Sequence, residues 1–145
     1  MTVVSINKLA KLSEHFTLAE LTKTKTNIKN VPNEAQVNNL KRLCGWLEQL
    51  RLRYNPIIIN SGYRSEAVNK AVGGVKDSNH LTGCAVDIRV TGIEQLIRYA
   101  AILLDISDQK GEDFDELLLE RSSKGNYWLH FAVRPSGNRR KVRLI

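Results

Sequence analysis

A chain of 145 residues, 42% hydrophobic and 26% charged, suits one globular domain with a real core, and disorder is not the default reading. Its formal charge of +7 favours an anionic partner, with nucleic acid, anionic lipid and anionic cell wall all qualifying. Two cysteines make no disulfide framework, no run approaches the roughly 18 apolar residues that span a bilayer, and Met1 to Leu12 lacks a secretory signal.

Thr17-Leu18-Ala19-Glu20 has the form of a capping box, with Phe16 and Leu21 placed as a hydrophobic staple, and predicts a short helix. Asn33-Glu34-Ala35-Gln36 is a second capping signal. It opens a long amphipathic helix in which Val37, Leu40, Leu43, Cys44, Leu47 and Leu50 recur at helical spacing. Trp46 falls off that stripe and is expected at its edge. Ile57-Ile58-Ile59 has the continuous apolar character of a buried strand. Ser65 can cap a short helix through Ala71 that stops at Gly73-Gly74.

A loop from Val75 to Thr82 leads into a predicted strand from Ala85 to Val90. Thr91-Gly92-Ile93-Glu94 suggests a third capping box, ahead of a helix with a broad apolar face through Leu104. Phe114 to Glu120 and Tyr127 to Val133 are two strand-like runs, joined by a hairpin loop longer than the tightest turns. Arg134 to Ile145 is a basic tail in which Val142 to Ile145 can add a last short strand. Helices early and strands late predict an α+β fold: N-terminal helices packed on a small antiparallel or mixed sheet, in one domain over 1–145 with a core from about 16 to 133.

The chemistry gathers in Ser78-Asn79-His80-Leu81-Thr82-Gly83-Cys84-Ala85-Val86-Asp87, with a second imidazole at His130. Two histidines and one aspartate are what a catalytic zinc site asks for, leaving a fourth position to water. Asp87 lies in an apolar strand, where a buried carboxylate is costly unless a cation compensates it. A His-x6-Asp spacing alone is weak. Together with Ser61-Gly62-Tyr63-Arg64-Ser65, Val72-Gly73-Gly74 and Trp128-x-His130, however, it resembles the zinc D-Ala-D-Ala carboxypeptidase family of metallopeptidases, from about Phe16 to Val133.

That resemblance implies one zinc ion held by His80, Asp87 and His130. It also implies a substrate and transition-state role for Arg64, and substrate binding by Ser78. His15 matches no ligand position and reads as surface; Cys84, soft enough to ligate zinc, holds a variable position of the motif and is not expected to be a ligand. Many relatives carry an acid three residues before the last histidine; here that residue is Tyr127. The remaining candidate for the general base is Glu120. A hairpin folded about Gly125 pairs 120 with 130 and sets the Glu120 carboxylate beside the zinc water, with Asp115 and Glu116 further away. Partial burial would raise its pKa toward the working range.

The activity implied is zinc-dependent hydrolysis of peptidoglycan peptides by a monomer, as a carboxypeptidase or endopeptidase of endolysin type. The protein would be made in the cytoplasm and reach the wall by lysis or a holin. Two alternatives stay open: a cytoplasmic D-Ala-D-Ala dipeptidase, and a non-catalytic wall-binding module on the same fold. The basic run from Arg134 to Arg143 is accompanied by no nucleic-acid motif and no interleaved aromatics, so specific nucleic-acid binding is not expected, nor is membrane insertion.

Overall fold

A computed structural model describes residues 10–54 and 56–145; residues 1–9, where a secretory signal was sought, lie outside them. The elements follow in the order α1 (Leu18–Thr22), α2 (Glu34–Arg53), β1 (Ile59–Ser61), α3 (Glu66–Ala71), a 3-10 turn (Asn79–Thr82), β2 (Ala85–Arg89), α4 (Ile93–Lys110), β3 (Glu116–Arg121), β4 (Tyr127–Ala132) and β5 (Lys141–Leu144). The five strands form one mixed sheet in the order β1-β2-β4-β3-β5, antiparallel throughout except for the parallel β3–β5 pair. The α+β expectation holds.

Local signals set the helix starts. Thr17 and Asn33 both close reciprocal capping boxes, and the Ser65 hydroxyl accepts the Val68 N–H at 3.2 Å. Phe16 and Leu21 are both buried. The third box does not form. Gly92 occupies the N-cap of α4 without a side-chain bond, and the Thr91 N–H donates instead to Gln95 Oε1 at 2.9 Å, one residue beyond the expected partner.

The alternation of side chains along each strand gives the sheet two faces with different tasks. Val86, Ile88, Leu117, Leu129 and Phe131 point into the core with the apolar sides of α2 and α4. Trp46 belongs there and not at an edge: it is 2% exposed, with its ring centroid 5.5 Å from that of Phe131. The expected continuous apolar strand is also corrected. β1 covers Ile59–Ser61, with Ile57 and Ile58 ahead of it; Ile57 and Ile59 are buried while Ile58 is exposed, so the run has one side on the core and not both. The opposite face of the sheet carries Asp87, His130, Glu116 and Glu120, and these line a cleft.

Candidate active site

The 3-10 turn and β2 bring His80 and Asp87 together. Ser78 caps the turn, its hydroxyl accepting the His80 N–H at 3.1 Å. Gly83 ends it in the left-handed conformation at φ 77°, where a Cβ would sit 2.5 Å from the Gln36 carbonyl oxygen. A glycine is what this sharp, close-packed exit requires. Asp87 and His130 are direct partners across β2 and β4, which fixes the third member of the cluster.

The three side chains converge on one point. His80 Nε2 lies 3.3 Å and His130 Nδ1 3.1 Å from the same oxygen, Asp87 Oδ1. One ligand atom from each of His80, Asp87 and His130 falls within 4.8 Å of the others, a spread suited to a metal ion. Each member of the cluster is held from behind by a different group. His80 Nδ1 faces the Gly62 carbonyl at 2.7 Å, Arg64 Nη2 donates to Asp87 Oδ2 at 3.0 Å, and His130 Nε2 meets Glu116 Oε1 at 2.9 Å. Metal-binding histidines commonly show this pattern: the rear nitrogen is occupied and the front one is left free to ligate.

The electrostatics agree with an assembled polar centre. Burial alone would raise the Asp87 carboxyl, but the charge of His80 and hydrogen bonds from both histidines hold it well below the usual carboxylate range. Burial opposes the charged form of His130, yet its contacts with Asp87 and Glu116 lift it to about 9. The hydrogen bond with His130 is the main cause holding Glu116 down at about 2, against partial burial. Glu120 goes the other way: burial raises its carboxyl, and only the nearby histidines and Trp128 restrain it.

Two expectations about the hairpin are corrected. Arg121 pairs with Tyr127, so Glu120 is opposite Trp128, and His130 is opposite Leu118. The register differs by two residues from a fold about Gly125, so Glu120 keeps its face and lines the same cleft as the cluster, two pairs further along the ladder. Its Oε2 accepts the Trp128 Nε1–H at 2.9 Å. Glu116, expected further away, touches His130 directly. Sequence reasoning missed it, although Glu116 and Glu120 share strand parity.

Asp115 is fully buried behind the site, where it binds Arg139 through two nitrogens and accepts from Asn79, the residue before His80. Arg64 and Ser78 both line the cleft, an open space of about 630 Å³, and Arg64 is also bonded to Ser61 Oγ at 3.0 Å. Cys84 is buried outside the cluster, and His15 is exposed with its ring on Glu48.

Fold and cluster by themselves define an α+β domain with a candidate three-ligand metal centre in an open cleft. The family model described as Peptidase M15 matches residues 14–111, and the chain belongs to that family, which makes it a hydrolase of the peptidase kind. The matched span includes His80 and Asp87 and ends before β3, so the assignment of His130 to the cluster rests on strand geometry. No curated protein matches the chain. Among the described residues, no helix is long and apolar enough to cross a membrane.

Proposed function

We propose that the protein is a zinc-dependent peptidase acting on peptidoglycan peptides, with one zinc ion held by His80, Asp87 and His130. The observation that carries this reading is the convergence of three ligand atoms whose rear contacts are each already filled, within a chain of the M15 peptidase family. The donor set of two imidazoles and one carboxylate suits zinc and leaves a position open. When bound, zinc supplies Lewis-acid polarisation of a carbonyl and lowers the pKa of water.

The chain's own residues divide the remaining work. Glu120, raised by burial and facing the cleft, takes the proton of the attacking water and returns it to the leaving amine. Arg64 fixes Asp87, and its guanidinium borders the cleft as a donor for a substrate carboxylate or developing oxyanion. Ser78 offers its hydroxyl to the substrate backbone from the same wall. Glu116 keeps His130 in the tautomer that presents Nδ1.

The test is release of free amino groups from purified peptidoglycan, with chelator, with restored zinc, and with Glu120→Ala. Zinc-restorable release that the substitution abolishes is expected, and fragment masses then name the bond. Turnover of free D-Ala-D-Ala but not of intact wall would replace the wall reading with a dipeptidase. Wall binding with stoichiometric zinc and no new amines would replace it with a binding module.

A further inference from the structure

The cleft continues past the ligand cluster toward β5, so the basic C-terminal segment is part of its wall. Strand register lays the sheet face out in rows. Asp87, His130, Leu118 and Arg143 are successive partners across β2, β4, β3 and β5; the adjacent row runs Ala85, Ala132, Glu116, Lys141. Partnered residues share a face, so Lys141 and Arg143 stand on the same side as the ligands. Two inter-strand steps put β5 about 10 Å from the strand of His130.

The cations on this side differ in what they are free to bind. Arg139 is committed to Asp115, its Nε and Nη2 donating to the two carboxylate oxygens at 3.0 and 2.8 Å. Arg134 Nε donates to Asn79 Oδ1 at 3.0 Å and lies 3.2 Å from Asp115. Glu116, the cross-strand partner of Lys141, is turned toward His130 and Asn79. Lys141 therefore lines the cleft half-buried, its ammonium paired with no carboxylate among the described residues.

An ammonium partly shielded from water gains more from an anion than a fully exposed one does. We propose that the β5 side of the cleft is an acid-recognising subsite, in which Lys141 binds a free carboxylate of the substrate and Arg143, on the same face of β5, adds positive field beside it. The inference rests on the peptidase reading and names the substrate class: an acidic peptide in preference to its amidated twin. A substrate amide would leave the Lys141 charge unanswered.

The test uses the zinc-loaded full chain and two synthetic pentapeptides ending in D-Ala-D-Ala, one with a free side-chain acid at its second residue and one with the amide there. Hydrolysis gives KM and kcat, and calorimetric titration in the cold gives equilibrium binding. Wild type is expected to favour the acid about tenfold in KM and in binding, with similar kcat, the pattern of an interaction equal in ground and transition states. Lys141→Gln should raise KM for the acid alone, and Lys141→Glu should reverse the preference. Equal binding of the two peptides by wild type, binding of neither, or an undiminished preference in Lys141→Gln overturns the subsite. Lys141-dependent binding of a single-stranded oligonucleotide tighter than that of the acid peptide overturns it in favour of nucleic acid. If neither peptide is hydrolysed, the peptidase reading fails by itself, and the binding ratio still decides the subsite.

Discussion

The Trp128 indole donates from Nε1 to Glu120 Oε2 at 2.9 Å, linking the two residues that face each other across β3 and β4. The bond holds the carboxylate on the ligand side of the sheet and leaves Oε1 outside that contact. It also favours the charged form, opposing the burial that raises the Glu120 carboxyl.

Replacing Glu120 by Gln keeps the size and the indole contact and removes the proton acceptor. We expect kcat to fall about 10²- to 10⁴-fold, the range for a positioned general base, with zinc stoichiometry unchanged. Peptide turnover beside metal analysis checks this. A fall of less than threefold with zinc retained would assign the proton transfer to another group.

Trp128→Phe removes the donor while keeping a ring in place. Without that bond the charged form of Glu120 is less favoured, so its pKa rises further and the acidic limb of the kcat profile moves to higher pH. An acidic limb that stays put would mean the indole contact does not tune the base.

Glu116 and His130 make a different prediction, read on the metal. Glu116→Ala leaves His130 Nε2 without its acceptor, and zinc affinity should drop about 10- to 100-fold in chelator competition. Glu116→Gln retains an acceptor oxygen and should recover part of the loss. Because the metal-free His130 titrates near 9, zinc uptake at neutral pH must expel a proton. Affinity should therefore climb with pH and level off above about 9. Calorimetry in buffers of different ionisation enthalpy counts that proton.

What could be read in advance follows the range of the forces involved. The boxes at Thr17 and Asn33 involve residues three apart, so the sequence contains both partners side by side. The cluster of His80, Asp87 and His130 could be picked out as candidate ligands because metal chemistry restricts residue type, and the family pattern suggested their order. Hairpin register was not, since the Arg121-to-Asn126 loop admits more than one closure and only tertiary packing selects among them. Parity survived that error, which is why Glu120 kept its face while Glu116 gained a contact. The Asp115 hub was invisible because its partners Asn79, Arg134 and Arg139 come from distant segments.

That hub predicts an acid-labile increment of stability. Burial by itself pushes the Asp115 carboxyl up, but bonds from Arg139 and Asn79 and the charge of Arg134 outweigh it and hold it at about 2. A carboxyl depressed on folding stabilises the fold above its unfolded pKa near 4, and the contribution is lost as pH falls toward 2. The gap corresponds to about 2 to 3 kcal/mol. Asp115→Asn keeps the shape, loses the charge that gathers both arginines, and should flatten the decline in denaturant midpoint between pH 4 and 2 by about one proton. It should also loosen the segment leading into β5, since the charge-assisted bonds from Arg139 to the side chain weaken while the backbone bond from the Lys141 N–H to the Asp115 carbonyl remains. Chemical denaturation across that pH range is the measurement. An undiminished acid slope in the variant would mean that other carboxylates carry the lability, with Glu116 and Asp87 the first to examine.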